Sequence, residues 1–249
     1  MIWSKVLSKN QTASANIIWN DSLHPHSTRF NDHYYSLVDG LEESHHVFIT
    51  GNSLLQRWQK LEQNQCFCIL ETGFGSGLNF LATWQLWQQY GFGKTNKLHF
   101  ISIEAFPLSI EELSRSLTNW EHKLPGYKEA LIKYYPPLTE GRHDRRINQD
   151  NIQLTLLFGD IKQQLPLLTR TFESQVDAWF LDGFSPAKNP EMWSRDLFQL
   201  MASLSRKKAS VATYTVAGVV RRGLAEAGFS VHKKPGFGTK RDMLVAYLE

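Results

Sequence analysis

The sequence predicts an α/β fold in which a mostly parallel sheet is covered by helices on both faces. Short apolar segments alternate with amphipathic segments from about residue 66 onward, an alternation typical of parallel sheets. The 249 residues, 42% of them hydrophobic, are enough to bury the core of one such domain. Glycine or an acidic residue follows most of the apolar segments, at the sheet edge where these folds bind ligands.

The predicted strands are short and apolar, and the predicted helices carry apolar residues at helical spacing. We predict strands at 66–72, 98–104, 152–160, 176–184 and 210–215, and two more at FSVHKK and MLVAYL near the end. Helices are predicted at 78–90, 109–120, 189–204 and 217–228. Their ends carry a capping box of Ser109 and Glu112, Pro190 in a first turn, and a closing Gly228.

The segment before this alternation is mixed and polar, so we expect an N-terminal extension at 1–57 that packs on a main domain at 58–249. Within the extension we predict short strands near 34–37 and 46–50. The stretch between the second and third strands is longer than one helical crossover needs, which predicts an insertion at about 123–151. Insertions near a ligand-binding edge often determine substrate specificity.

Composition argues against several classes of protein. No apolar run reaches the roughly 18–20 residues of a transmembrane helix, and the first residues lack the order of a signal peptide. Cys66 and Cys68 alternate in one strand, where a disulfide between them is geometrically poor. Neither the cysteines nor the histidines have metal-site spacing, so we expect no metal, and we expect a reducing, cytoplasmic location. The net charge of +3 permits nucleic-acid binding without requiring it.

A glycine-rich loop follows the first strand and leads directly into a helix. Alternate glycines let a backbone approach a ligand closely, and the helix N-terminus adds free N–H donors. Leu78 stands where the dinucleotide pattern GxGxxG/A needs a small residue, so GxGxG, the form associated with S-adenosylmethionine, is favoured. A tight turn without a ligand is the alternative. The predicted cofactor contacts here are Glu71, Gly73, Phe74, Gly75, Ser76, Gly77 and Asn79.

Acidic residues end the second and third strands. Glu104 can accept hydrogen bonds from both hydroxyls of a ribose, and the alternative is a solvated carboxylate at a strand end. Asp160 can accept a hydrogen bond from an adenine amino group, with Phe158 or Ile161 packed on the ring. The alternative for Asp160 is an N-cap of the following helix, and both roles are compatible.

The fourth strand ends in Leu181-Asp182-Gly-Phe184-Ser-Pro-Ala-Lys188-Asn-Pro, the most informative local pattern. Methylation of an amine needs a neutral nucleophile, alignment with the methyl donor and an acceptor for the departing proton. A carboxylate beside the amine can orient it and help to remove that proton, and we assign this catalytic role, beside a cofactor contact, to Asp182. Phe184 can shield the centre or stack on a base, and Lys188 can hold a phosphate. The alternative is a structural loop packed on the N-terminal extension.

The motifs LETGFGSGLNFL, WFLDGFSPAKNPEMW and GVVRRGLAEAGFSVHKKPGFGTKRDML resemble the methyltransferase domain of bacterial tRNA 5-methylaminomethyl-2-thiouridine biosynthesis enzymes. This domain occurs in the bifunctional MnmC and in the stand-alone MnmD. The segments STRFNDHYYSLVDGLEESHHVF and LHFISIEAFPL are similar to the same family, so the resemblance extends from about residue 27 to 248. DGFSPAKNPEMW is highly specific, whereas GxGxG is not.

The resemblance implies a Rossmann-like class I methyltransferase with a seven-stranded sheet whose last strand is antiparallel. It implies transfer of a methyl from S-adenosylmethionine to the exocyclic amine of 5-aminomethyl-2-thiouridine at the wobble position of tRNA. The glycine loop, Glu104 and Asp160 carry over as cofactor contacts, and Asp182 and Phe184 as substrate or cofactor neighbours. Tyr34, Glu42 and Glu43 match the N-terminal segment of the family and are expected to approach the site.

The bifunctional relatives continue into a flavin-dependent oxidoreductase domain that acts on the preceding intermediate, and nothing in this sequence resembles that domain. We therefore expect either a stand-alone enzyme or part of a larger one, which works with such a domain or enzyme as its partner. The other partner is the anticodon arm of tRNA, with Arg221 and Lys240 among the predicted contacts. The candidate phosphate contacts are Arg142, Arg145, Arg146, Arg206, Lys207, Lys208, Arg221, Arg222, Lys233, Lys234, Lys240 and Arg241.

Three other functions are compatible with parts of the pattern. A methyltransferase of a small-molecule or protein amine would carry the same cofactor loop. A non-enzymatic tRNA-binding module would not need Glu104, Asp160 and Asp182 together. An oxidoreductase that uses a nicotinamide dinucleotide is disfavoured by Leu78.

Overall fold

The computed structural model describes residues 11–13, 15–20, 23–36, 38–172 and 174–249. The N-terminal part contains a small antiparallel sheet in the order β1 (Ile17–Trp19), β2 (Pro25–Ser27), β3 (Asp32–His33). The strand predicted near 34–37 does not form at residues 34–36, and Leu37 lies outside the described residues, as do residues 1–10. The described residues contain no helix of the length and apolarity needed to cross a membrane.

An eight-stranded sheet forms the centre of the molecule. Its strands are β4 (Cys66–Glu71), β5 (Lys97–Glu104), β6 (Gly141–Ile147), β7 (Ile152–Phe158), β8 (Val176–Phe180), β9 (Ser205–Thr213), β10 (Phe229–Pro235) and β11 (Asp242–Leu248). Their spatial order is β10-β11-β9-β8-β4-β5-β7-β6. Strands β9, β8, β4, β5 and β7 are parallel neighbours, and β11 is antiparallel to both β9 and β10. The predicted mostly parallel Rossmann-like sheet is confirmed, including its antiparallel last strand.

The expected count of seven strands is wrong by one, because β6 extends the sheet at its edge. This strand lies within the predicted insertion and pairs antiparallel with β7, from Gly141 opposite Phe158 to Ile147 opposite Ile152. Its sequence, GRHDRRI, contains a single large apolar residue, so hydrophobic periodicity does not reveal it. Pairing with β7 therefore holds these residues as a strand, which their own sequence does not predict.

The helices cover both faces of this sheet. They are α1 (Gly40–Glu43), α2 (Leu54–Trp58), α3 (Leu78–Gln89), α4 (Ile110–Leu117), α5 (Tyr127–Tyr134), α6 (Ile161–Phe172), α7 (Arg195–Leu204) and α8 (Gly218–Glu226). The predicted capping box is present at α4, where Ser109 and Glu112 bond to each other's backbone N–H. Two further predictions are wrong. Residues Ser44–Thr50 form a π-helix instead of a strand, and Ser194 divides the helix predicted at 189–204 into a 3₁₀ turn, Pro190–Trp193, and α7.

The N-terminal extension packs on the sheet, where Phe48 stacks on Phe180 of β8 at 5.2 Å between ring centroids. Trp58, Trp87, Trp179 and Trp193 are completely buried, and Trp58 and Trp87 meet edge to face at 5.1 Å between ring centroids. Cys68 is buried and Cys66 is partly buried, and neither forms a disulfide. Buried apolar area of this kind is the main favourable contribution to folding, and here it keeps the extension against the main domain.

Candidate active site

The loop between β4 and α3 lies at the carboxyl end of the sheet. Its glycines take positive φ angles of 135° at Gly73, 51° at Gly75 and 74° at Gly77, which L side chains rarely adopt. A Cβ at Gly77 would lie 2.8 Å from the ring of Phe74, so this glycine is required by packing. Gly73 and Gly75 instead border open space. The loop therefore exposes backbone at the sheet edge.

Glu104, at the end of β5, fixes this loop from the neighbouring strand. Its carboxylate accepts hydrogen bonds of 2.8 Å from the backbone N–H groups of Gly75 and Phe106. Burial raises the pKa of Glu104 above its usual value, and the hydrogen bonds from the backbone N–H groups only partly offset this rise. The two strand ends thus form one polar wall.

A first cavity of about 440 Å³ lies on one side of this wall. Asp160 and Ile161 line it, while Phe158 is completely buried behind it. Asp160 also accepts a 2.8 Å hydrogen bond from the backbone N–H of Lys162, so it caps α6 while it borders the cavity. The remaining lining residues are Arg29, Phe30, Thr72, Gly73, Ile103, Glu104, Ala105, Phe106, Gly159, Lys162, Gly183, Phe184, Lys188, Asn189, Pro190, Glu191 and Met192.

A second cavity of about 470 Å³ lies on the other side, with Gly73, Glu104, Gly183 and Phe184 shared between the two. Carboxylates and aromatic rings dominate its lining. The other lining residues are Asp32, His33, Tyr34, Tyr35, Ser36, Val38, Gly40, Glu43, Ser44, Phe48, Phe74, Gly75, Leu78, Asn79, Asp182, Tyr214, Thr239 and Lys240. The shared residues make the two cavities adjoining halves of one cleft.

Asp182 lies in this second cavity and is held by neighbouring backbone and amide groups. Its carboxylate accepts a 2.7 Å hydrogen bond from Asn79 Nδ2 and a 2.8 Å bond from the backbone N–H of Gly183. Burial raises the pKa of Asp182 to about 6, against the lowering effect of these two donors. The carboxylate is therefore mostly ionised at neutral pH, which lies only slightly above this pKa.

Asn79 connects Asp182 to a second buried carboxyl group. The same Nδ2 group donates a 2.9 Å hydrogen bond to Oε1 of Glu71, which also accepts a 2.7 Å bond from Ser102 Oγ at its other oxygen. Burial raises the pKa of Glu71 well above its usual range, although the bond from Ser102 opposes this. Both N–H bonds of one amide are thus used to orient two acidic groups.

Most of the predicted site residues line the cleft. Arg221 lines neither cavity, and three other residues lie behind the cleft. Glu71 and Ser76 are buried, and Gly77 faces the Phe74 ring, so none of the three lines either cavity. These three residues support the loop and Asn79 from the side away from the cavities. Contacts between these residues and a cofactor remain predictions.

The N-terminal extension closes the cleft. Phe30 stacks on Phe184 at 4.5 Å between ring centroids, and Tyr34 meets the same ring edge to face at 5.3 Å. Lys188 donates a 3.0 Å hydrogen bond to the carboxylate of Asp32 and another to the backbone of Asn31. The loop after β8 therefore packs on the extension, which is the alternative that the sequence left open, and a phosphate contact of Lys188 remains a prediction.

Several residues at the cleft were not singled out from the sequence. Tyr214 directly follows β9, so the rule applied to the other strand ends would have found it. Asp32 and Phe30 meet partners more than 150 residues away along the chain, and no local signal marks such contacts. Of the two acids expected near the site, Glu43 lines the second cavity, whereas Glu42 is exposed and pairs with Lys123.

The candidate phosphate contacts lie at both ends of the parallel strands and on one edge strand of the sheet. Lys240 and Arg241 lie in the turn between β10 and β11, and Arg221 and Arg222 lie near the start of α8; of these, Lys240 lines the second cavity. Arg206–Lys208 lie near the start of β9, at the amino end of the parallel strands. Arg142, Arg145 and Arg146 lie on the outermost strand, β6.

Two comparisons with known sequences identify relatives. Residues 122–249 match a family model described as S-adenosyl-L-methionine-dependent methyltransferase. The chain is 47% identical over 232 residues to the tRNA 5-methylaminomethyl-2-thiouridine biosynthesis bifunctional protein MnmC of Methylobacillus flagellatus, with 93% of this chain and 35% of that protein covered. It is 44% identical over 252 residues to MnmC of Aliivibrio fischeri, with 100% and 37% covered. The chain spans about a third of the length of these curated relatives.

A comparison with solved structures supports the fold. The structure of MnmC2 from Aquifex aeolicus superimposes with a TM-score of 0.71 at 23% sequence identity, over 99% of this chain and 73% of that one. At this level of identity the likeness establishes the shared architecture. Within that architecture, the glycine loop and the strand-end acids described above lie around a single cleft.

Proposed function

The chain belongs to the S-adenosyl-L-methionine-dependent methyltransferase family, and on that premise we propose that it methylates the exocyclic amine of 5-aminomethyl-2-thiouridine at the wobble position of tRNA. The observation that carries this proposal is the position of Asp182. Its carboxylate borders the second cavity, next to the residues that separate this cavity from the first. The names of the MnmC relatives support the choice of tRNA as substrate.

The first cavity suits the nucleoside part of S-adenosyl-L-methionine. Asp160 offers a carboxylate for an adenine amino group, and Glu104 offers one for ribose hydroxyls. The open backbone at Gly73, which borders both cavities, leaves space that a side chain would fill. When bound, S-adenosyl-L-methionine supplies an electrophilic methyl group on its sulfonium.

The second cavity suits a primary amine. Asp182, held rigidly by Asn79 and Gly183, can accept a hydrogen bond from the amine and so direct the nitrogen lone pair toward the neighbouring cavity. The new N–C bond would form as the S–CH₃ bond of the sulfonium breaks and S-adenosylhomocysteine leaves; the nitrogen then carries the positive charge, which the carboxylate stabilises. Asp182 then accepts the proton that the methylated amine releases, a transfer that a pKa of about 6 permits and that solvent completes.

Basic residues on the last hairpin and on α8 support an RNA substrate. Lys233, Lys234 and Arg241 lie on the β10–β11 hairpin next to Lys240, and Arg221 lies on α8 beside them. Such a cluster can neutralise backbone phosphates of an anticodon arm while the modified base enters the cavity. A flavin oxidoreductase domain, or a separate enzyme, would generate the free amine from the preceding intermediate, in keeping with the bifunctional relatives.

The proposal is tested by incubating the protein with S-adenosyl-L-methionine and tRNA that carries 5-aminomethyl-2-thiouridine. Digestion to nucleosides and mass spectrometry should show that this nucleoside alone gains one methyl group. The matched control is Asp182→Asn, which should abolish most of the gain. If calorimetry shows cofactor binding and no nucleoside gains mass, the tRNA assignment is wrong, and a small-molecule or protein amine becomes the substrate to test.

A further inference from the structure

A lysine side chain enters the second cavity from the solvent. Lys240 lies in the turn between β10 and β11, and its Nζ is 2.8 Å from Oε1 of Glu43. The same Nζ lies 4.2 Å from the ring centroid of Tyr214, within the range of a cation–π contact. The cavity therefore already contains one ammonium group, held by a carboxylate and an aromatic face.

The two partners of this ammonium are fixed independently of it. Glu43 accepts a 3.1 Å hydrogen bond from the backbone N–H of Ser36 at its other oxygen, and its side chain is only 12% exposed. The hydroxyl of Tyr214 donates a 2.7 Å hydrogen bond to the backbone oxygen of Gly183, so the orientation of its ring is set by the active-site loop. A buried carboxylate of this kind requires a cation.

Lys240 itself is held much less firmly. Its side chain is 43% exposed, and it projects from a turn that contains Gly236 and Gly238. The backbone of this turn is fixed by its own hydrogen bonds and by a 2.9 Å contact between His46 Nε2 and the oxygen of Pro235. The lysine side chain can therefore leave the cavity by rotation about its own bonds, without movement of the hairpin.

We propose that Glu43 and Tyr214 form the subsite for the ammonium of the substrate, and that Lys240 occupies this subsite until the substrate displaces it. The inference rests on the proposed function, because the end of a lysine side chain and a 5-aminomethyl group are both primary ammonium groups on a CH₂. Asp182 lies in the same cavity and is influenced electrostatically by both Glu43 and Lys240. The ammonium that replaces Lys240 is therefore delivered next to Asp182, which can accept its proton and pass it to solvent, so that the neutral amine forms before methyl transfer.

The inference predicts competition between Lys240 and any small primary ammonium ion. We would titrate n-butylammonium chloride into the protein in the presence of S-adenosylhomocysteine, and measure binding by calorimetry at constant ionic strength. If Lys240 occupies the subsite in about nine molecules out of ten, Lys240→Met should lower the apparent Kd of the probe about tenfold. Glu43→Gln should weaken binding about tenfold, and the double variant should lose most of the gain, because both changes act on one subsite.

Lys233→Met is the matched control, since Lys233 lies on the same hairpin and pairs with Asp242 outside the cavity. It removes the same charge and should leave the Kd of the probe unchanged. The subsite is overturned if Lys240→Met fails to tighten probe binding, or if Lys233→Met tightens it equally. This titration involves no RNA and no turnover. If Lys240→Met tightens binding and the tRNA is not methylated, the subsite holds and only the tRNA assignment fails.

Discussion

The two cavities of the cleft are built in different ways. The first is formed largely by residues that follow β4, β5, β7 and β8, and these positions follow from the alternation of strands and loops. The second receives Tyr34, Glu43 and Asp32 from the N-terminal extension and Lys240 from the last hairpin, segments far apart in the chain. The difference indicates that the first cavity is a property of the fold, whereas the second is assembled from segments added to it.

The largest expected effect tests the glycine loop that follows β4. At Gly75, with φ of 51°, a valine would be strained, and its Cβ would lie 3.4 Å from Tyr34. Gly75→Val should therefore raise the Kd for S-adenosyl-L-methionine by more than about 100-fold, measured by calorimetry. Gly126→Val is the control, because Gly126 has φ of 79° and nothing within 4 Å of a Cβ. Similar losses in both variants would mean that strain alone explains the effect.

The next prediction separates the two cavities by their kinetic effects. Asp182→Ala should lower kcat by about 10²–10⁴-fold, because it removes the proton acceptor, while the Kd for S-adenosyl-L-methionine changes by less than about threefold. Asp160→Asn should show the opposite pattern, since it retains a cap for α6 but loses a charge in the first cavity. Near-normal turnover of Asp182→Ala would show that another group accepts the proton.

A pH profile refines the role of Asp182. Because its pKa is about 6 in the folded protein, log kcat should fall with unit slope below about pH 6 and be level above it. Stability should respond in the opposite direction. The folded pKa lies above the unfolded value of about 4, so the free energy of unfolding decreases as the pH rises from about 4 to about 6.

This dependence of stability on the ionisation of Asp182 can be measured by thermal unfolding of Asp182→Asn and of the wild type at several pH values. Since the variant cannot ionise at this position, its Tm relative to the wild type should rise by about 4 °C or more between pH 4 and pH 6, and then stay constant. Because this Tm difference is compared between pH values, the constant effect of any hydrogen bond that the substitution itself removes cancels. A difference that does not change with pH would contradict the raised pKa.

The smallest effect tests how the extension closes the substrate side. The pair of Lys188 with Asp32 is partly exposed, so a double-mutant cycle with Lys188→Met and Asp32→Asn should give a coupling free energy of about 0.2–1 kcal/mol. The KM for tRNA should increase about twofold to fivefold, with little change in kcat. Lys162→Met, at the exposed pair with Glu191 beside the first cavity, should leave this KM unchanged.

The sequence predicted the central sheet well because its strands are buried on both faces and consist of nearly continuous apolar residues. It missed β6, whose charged sequence becomes a strand only through pairing with β7. It assigned a strand to residues 46–50, where an apolar run, Val47–Ile49, is buried in a π-helix. Short apolar runs do not distinguish a buried helix from a strand, and the outcome there depends on what they pack against.

The candidate site shows the same division. Asp160, Glu104 and Asp182 were predicted because each directly follows a strand, and the carboxyl ends of parallel strands meet at one edge. The hydrogen bonds that join Asp182, Asn79 and Glu71 were not predictable, although all three residues had been singled out. A hydrogen bond depends on distances of tenths of an ångström, which periodicity does not specify.

By itself, the sequence determined most of the sheet and the acids that follow its strands, since each is encoded within a few consecutive residues. Only the tertiary structure decided that Phe30 stacks on Phe184, that Asp32 holds Lys188 and that Glu43 binds Lys240. These contacts join residues separated by more than 150 positions. They form because burial of the extension against the main domain brings those segments together, and that burial is a property of the whole chain.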